Sequence, residues 1–224
     1  MQTIINNLLS SDELQEIRQL LETARWTAGH ESAGDHARPG KHNEEMDQSC
    51  EAWKTINQRV VNKLYAHPEF HSAALPAKVS AAFVSRCSPG MYYREHVDDP
   101  VMGTPGGRYR SDVAVTIFIS DAGDYEGGEL SIDTALGPIA VKGTAGSAVL
   151  YPASSRHQVT EIKSGQRIVC VLWVQSLVRD PAQREILNDL DSARQALRLS
   201  APEAEVTKTV DHAYINLVRM WSEV

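Results

Sequence analysis

The spacing of apolar positions changes period along the chain, and each change marks a different kind of element. Behind Ser10, the residues Leu14, Ile17, Leu20 and Leu21 recur at helical spacing, and Glu13 stands three positions after the serine. A serine hydroxyl that accepts from the third backbone N–H, with a glutamate reaching back, predicts a helix start with Leu9 stapled against Leu14. Residues 50–66 carry a second helical face through Trp53, Ile56, Val60 and Leu64, which reads as core. The intervening segment, 27–49, is polar and glycine-bearing and reads as a mobile loop. Its His30, His36 and His42 have no regular spacing, and no companion acid or cysteine fixes a geometry, so they read as solvated side chains rather than ligands.

From residue 78 the texture becomes short runs rich in Val, Ile and aromatics, broken by glycine and proline: KVSAAFVSR, MYYREHVD, YRSDVAVTIFIS, GELSID, GPIAV, GSAVLYP, RHQVTEI and QRIVCVLWVQS. About eight strands within about 100 residues is the density of a sandwich or barrel, not of a fold with alternating helices. Gly127 and Gly128 stand where a turn or bulge is expected. After Gln175 the helical period returns. Asp180 caps a helix that opens on Pro181 and carries Ile186, Leu187, Leu190 and Leu197; Pro202 opens another with Val206, Val210, Leu217 and Trp221. These stripes must be covered by each other, by the β core or by a second subunit; packing on the β core is the simpler expectation, and a dedicated partner-binding module or a homo-oligomer is the alternative. The predicted architecture is mainly β with flanking helices. It divides into an N-terminal helical support and loop (1–77), a β core (78–178) and a C-terminal helical segment (179–224).

Composition narrows the function classes. The 224 residues, 42% hydrophobic and 23% charged, suffice for one sizeable core. A net charge of −7 without a basic stripe argues against nucleic-acid binding. Cys50, Cys87 and Cys170 are too few and too scattered for a disulfide framework and read as reduced thiols. No basic start precedes an apolar run, and no stretch of about 18 apolar residues occurs, so a soluble cytoplasmic protein without a membrane segment is expected.

The chemistry gathers in YYREHVDDPV. His96 and Asp98 are two apart, so on a strand they project to one side. His157 follows the run GSAVLYP, and Arg167 stands at the start of the last strand. Two histidines and one carboxylate on one face of an iron leave its other face open, as in non-haem Fe(II) oxygenases; a catalytic zinc that polarises water uses similar ligands. Arg167 favours the oxygenase, because a planar guanidinium grips a carboxylate with two parallel hydrogen bonds and a dicarboxylate co-substrate needs such an anchor. Tyr93, three residues before His96, faces away in a regular strand and reaches the pocket only if the strand twists or bulges. A cupin-like metal-dependent enzyme or sensor without oxygenase activity is the alternative, but it gives Arg167 no task.

The runs PGMYYREHVDD, VAVTIFISDAGDYEGGELSI, GSAVLYPASSRHQVTEI and GQRIVCVLWVQS resemble the Fe(II)/2-oxoglutarate-dependent dioxygenases of the prolyl 4-hydroxylase-like branch, and more narrowly the bacterial PKHD-type hydroxylases. The resemblance extends over nearly the whole chain. It implies a double-stranded β-helix (jelly roll), iron on His96, Asp98 and His157, 2-oxoglutarate on Arg167, and ascorbate as reductant. Hydroxylation of a substrate by dioxygen, with release of succinate and carbon dioxide, is the implied activity. Related prolyl 4-hydroxylases commonly have a tyrosine where this chain has Cys87 and a lysine where it has Arg167. A cationic anchor survives that change, but peptidyl-proline cannot be carried over as substrate.

Overall fold

The computed structural model describes residues 2–32, 34 and 38–224; the expectation for His36 lies outside them. Five helices frame two antiparallel sheets: α1 (Ser11–Glu22), α2 (Glu51–Ala66), α3 (Pro68–Ala74), α4 (Pro181–Ser200) and α5 (Glu205–Trp221). The larger sheet runs in the order Thr3–Ile5, Ala148–Pro152, Val113–Phe118, Arg167–Ser176, Phe83–Cys87, Glu44–Met46, Trp26–Ala28, and Pro76–Val79 also pairs with the long Arg167–Ser176 strand. The smaller sheet runs Gly137–Val141, Leu130–Thr134, His157–Val159, Tyr92–His96, Lys41–His42. Two further pairs, Tyr125–Gly127 with Ile162–Gly165 and Val101–Met102 with Tyr109–Arg110, stand at the ends.

Alternation decides which side chains face the site. Every residue of Val113–Phe118 is buried, because both faces of this strand are covered. Val113, Val115 and Ile117 join Cys170, Leu172 and Val174 in a core shared with Ile17 of α1 and Ile56, Val60 and Leu64 of α2. Ala114 and Phe118 join Val149, Tyr151 and Val169 in a second core that includes Leu130 and Ile132 of the smaller sheet. Each such aliphatic side chain contributes about 1.5–3 kcal/mol when fully buried. The period of two thus separates a support face from a cavity face, and it places Arg167 on the same side as Val169, Val171 and Trp173.

The expected helix start is present: Glu13 N–H donates to Ser10 Oγ at 3.3 Å, and Ser10 N–H donates to Glu13 Oε2 at 2.9 Å. Gly127 carries a register shift at positive φ, 77°, and a Cβ there would meet the Glu161 carbonyl oxygen at 2.0 Å. Two expectations change, and α3 is an element that the apolar pattern did not mark. Within 27–49 the described residues include strands where a loop was expected: Trp26–Ala28, Lys41–His42 and Glu44–Met46 extend the two sheets. Each is only two or three residues long, and Lys41, His42, Glu44 and Glu45 are all polar, so hydrophobic period could not reveal them. The short helix α3 buries Phe70, Ala73 and Ala74 and ends on a left-handed Leu75 where a glycine would have signalled the stop. In the C-terminal pair, α5 begins at Glu205 rather than Pro202, and Ile186 and Val206 are exposed. The buried positions of α4 are Arg184, Leu187 and Asp191, so charge occupies a face that the apolar pattern alone misplaces. No helix of the described residues is long and apolar enough to cross a membrane.

Candidate active site

Between the sheets lies a cavity of about 580 Å³ that contains all five residues singled out in the sequence: Tyr93, His96, Asp98, His157 and Arg167. His96 ends one strand of the smaller sheet and His157 begins its neighbour, and the two are directly paired across the ladder. Asp98 follows two residues after His96. One ligand atom from each of the three lies within 4.8 Å of the others; Asp98 Oδ1 is 3.9 Å from His96 Nε2 and 3.8 Å from His157 Nε2.

The backbone fixes which nitrogens face inward. His96 Nδ1 lies 2.8 Å from the Arg94 carbonyl and His157 Nδ1 lies 3.0 Å from the Ser155 carbonyl. A carbonyl only accepts, so each Nδ1 carries a proton and each Nε2 is the ring nitrogen turned toward Asp98. Burial, then the neighbouring His157, pulls the His96 pKa down to about 4, keeping the ring neutral as a ligand requires. Burial pushes the Asp98 carboxyl up, with His157 opposing it. The Trp173 indole lies close enough to favour the Asp98 carboxylate electrostatically, yet both the indole nitrogen and Asp98 Oδ2 lack a hydrogen-bond partner. Two imidazoles and a carboxylate with a spare oxygen fit a divalent cation, whose charge would reverse the effect of burial on Asp98. This is the single three-residue His/Asp cluster among the described residues; His30 and His42 belong to no such group.

Tyr93 reaches the site through an irregularity. Tyr93 pairs with Val159 while His96 pairs with His157, so three steps on one strand match two on the other. That bulge rotates Tyr93 onto the cavity face, where its ring stacks on His96 with centroids 3.7 Å apart. Burial, followed by the Asp98 charge, raises the phenol's pKa, so its hydroxyl keeps its proton and serves as a donor. Tyr151, from the larger sheet, closes the other side of His157 with ring centroids 5.2 Å apart; an aromatic in an apolar run gave no sign of this role.

Arg167 is 3% exposed and forms no ion pair among the described residues. Its guanidinium lies beside the Tyr125 hydroxyl and opposes the upward push of burial on that phenol, but Arg167 Nε and Tyr125 OH are both without a hydrogen-bond partner. A buried guanidinium without a carboxylate is expensive unless an anion completes it. Cys87, at the position where relatives were expected to carry tyrosine, is buried beside Arg167 with its thiol pushed up by burial. A neutral thiol leaves the guanidinium charge uncompensated.

The remaining wall comes from residues that the sequence did not single out. Lys41, Asn43 and Glu45 occupy alternate positions and all line the cavity. Val97, Val101 and Met102 line it as well, the first two substantially exposed.

Residues 82–175 match the 2OG-Fe(II) oxygenase superfamily, and residues 181–223 match the PKHD-type hydroxylase C-terminal domain. A PKHD-type hydroxylase from Thioalkalivibrio sulfidiphilus is 50% identical over 220 residues, covering 98% of each chain. The fold is similar to that of a Pseudomonas putida prolyl-4-hydroxylase, with a TM-score of 0.54 and 16% identity over 78% of this chain and 92% of that one. It is also similar to a prolyl hydroxylase from Trichoplax adhaerens in complex with a hypoxia inducible factor peptide fragment, with a TM-score of 0.56 and 18% identity over 78% and 83% of the two chains. These two likenesses show a shared jelly-roll fold, and the full-length identity shows more: the chain belongs to the PKHD-type hydroxylases, a family of Fe(II)- and 2-oxoglutarate-dependent oxygenases.

Proposed function

We propose that this dioxygenase hydroxylates its substrate at a centre in which His96, Asp98 and His157 hold Fe(II) and Arg167 holds the distal carboxylate of 2-oxoglutarate. The observation that carries the assignment is Arg167, a buried and unpaired guanidinium in the same cavity as the two imidazoles and the carboxylate. Bound Fe(II) supplies the activation of dioxygen, such that one oxygen atom enters a substrate C–H bond, the other enters succinate, and carbon dioxide leaves. The chain's own residues prepare this. His96 and His157 present Nε2 because carbonyls occupy Nδ1, and Asp98 supplies the negative charge. Arg167 orients the co-substrate by its planar fork. Tyr93 covers His96 and offers a hydroxyl donor toward the co-substrate.

Other parts of the reading are coarser. Ascorbate serves as reductant by likeness to the wider family. The net charge of −7 supports a small or peptidic substrate over nucleic acid, and three free cysteines support a reducing, cytoplasmic setting. Residues 1–77 act as helical support and supply short strands that wall the cavity, 78–178 act as the oxygenase core and 179–224 as a helical buttress. An oligomer, where one forms, would use the apolar side chains that the buttress still exposes, such as Ile186, Ile215 and Met220. Anaerobic reconstitution tests the centre: the wild type is expected to bind Fe(II) and 2-oxoglutarate, then release succinate in air, and His96→Ala and His157→Ala to lose metal and turnover. Retention of Fe(II) affinity in both variants would sink the assignment.

A further inference from the structure

The wall formed by residues 41–46 is a built feature. Gly29 N–H donates to the Asn43 carbonyl at 2.8 Å, and Asn43 Nδ2 donates to Ser85 Oγ at 2.7 Å. Asn43 Oδ1 occupies the space that a Cβ at Gly29 would fill, 1.9 Å away, so the turn at Gly29 and the link between the two short strands interlock. Glu44 faces outward and pairs with Arg86, which in turn lies 4.1 Å from the centroid of Trp26. The inward positions on either side of Asn43 are Lys41 and Glu45, paired with each other, with side chains only 10% exposed. Lys41 Nζ also donates to Ser32 Oγ and stands 5.5 Å from the ring centroid of Tyr93, the ring stacked on His96.

An ion pair in such a wall is a poor stabiliser, since desolvation offsets attraction, and apolar residues would serve packing as well. It is also surplus to the co-substrate: the charges of Fe(II), Asp98, Arg167 and a 2-oxoglutarate dianion already cancel. A ligand with net charge would leave this compartment with an uncompensated buried charge, whereas a zwitterion exchanges partners with the pair and keeps it neutral.

Resting on the oxygenase reading above, we propose that Lys41 and Glu45 recognise the head group of a free α-amino acid substrate, Lys41 taking its carboxylate and Glu45 its ammonium. The substrate side chain then extends along Val97, Val101 and Met102, which supply an apolar lining to the same cavity.

The test is an anaerobic titration of the Fe(II)- and 2-oxoglutarate-loaded protein with free L-α-amino acids, their N-acetyl derivatives and their methyl esters. Succinate release in air and mass spectrometry for a gain of one oxygen follow. At least one free amino acid is expected to bind and to accelerate succinate release, with both blocked forms weaker by about tenfold or more. Lys41→Met is expected to lose discrimination against the ester but keep it against the N-acetyl form, and Glu45→Gln to do the reverse. Where a variant does not fold, the wild-type selectivity decides alone. Binding of 2-oxoglutarate with slow uncoupled succinate release, but without binding of any free amino acid, overturns the proposal and spares the oxygenase centre. Blocked forms that bind as well as free ones overturn it too. Failure of the Fe(II) protein to bind 2-oxoglutarate removes the centre itself, and this proposal with it.

Discussion

Arg184 and Arg167 are buried to nearly the same extent, 4% and 3% exposed, but their surroundings differ. Arg184, on the first turn of α4, donates through Nη1 to the carbonyls of Val178 and Arg179, each at 2.7 Å, and through Nη2 to that of Asp112 at 3.5 Å. It ties the end of the long cavity strand to the C-terminal helices, beside an apolar seam of Leu75, Val178 and Leu187 covered by Leu217 and Trp221. Arg167, at the start of that same strand, has no ion-pair partner among the described residues and an orphaned Nε. A buried cation that is saturated by the chain holds the chain together; one that the chain leaves unsatisfied is set for a ligand.

The largest effect expected from this contrast is on co-substrate binding. Arg167→Ala should weaken 2-oxoglutarate affinity by about 3–4 kcal/mol, roughly 10²–10³-fold, because it removes one side of a desolvated charge pair. Its melting temperature should hold or rise, since the substitution deletes an unpaired buried charge. Isothermal titration and a thermal melt on one preparation check both; an unchanged 2-oxoglutarate affinity would place the anchor elsewhere.

Arg184→Ala should show the converse. Three carbonyls lose their donor, so stability should fall by about 3 kcal/mol, seen as a melting temperature lower by about 6–12 °C for a chain of this size. The 2-oxoglutarate affinity of the folded variant should not change. A variant that melts normally would show that solvent replaces the guanidinium at no loss. Between these extremes, Arg167→Lys keeps the charge and loses the fork, for an expected loss of about 1.4 kcal/mol, or roughly tenfold, in 2-oxoglutarate affinity with Fe(II) affinity unchanged. An affinity as poor as that of Arg167→Ala would mean that fork geometry outweighs charge.

The same contrast explains what was legible in the sequence. His96, Asp98, His157 and Arg167 could be read because residue chemistry and close spacing are local facts, and the cavity gathers them. Asp98, however, lies just past the strand that ends at His96, and Val97 between them lines the cavity too, so alternation does not place it. Tyr93 could not be placed by alternation, since its facing depends on a bulge between paired strands. Lys41 and Glu45 were hidden for a further reason: in KHNEEM the inward and outward positions are all polar or charged except at Met46, so no hydrophobic period marks the strand. Arg184 and Asp191 were passed over on α4 because apolar residues are the usual marker of a buried face, while here hydrogen bonds and an Arg194 ion pair hold charge inside.

Burial and partnering are separable variables, and the start of α1 supplies the case in which partners are present and burial is partial. Glu13 accepts from the Ser10 backbone and pairs with Lys63 at 2.8 Å. Burial acts to raise its pKa, but the hydrogen bonds from Lys63 and Ser10 prevail and the net shift is downward from 4.5. A lowered folded-state value means that this glutamate contributes stability above the unfolded carboxylate range and that the contribution vanishes as pH falls through the folded value. Glu13→Gln should therefore cost about 0.5–1 kcal/mol at neutral pH, the least of these effects, since solvent screens the ion pair and only the cap geometry remains. Chemical denaturation of wild type and variant at pH 7 and again below pH 4 checks the sign. The two curves should converge at the lower pH, because protonated Glu13 and the glutamine that replaces it are then both neutral; a gap that persists would trace the effect to packing of the side chain rather than to its charge.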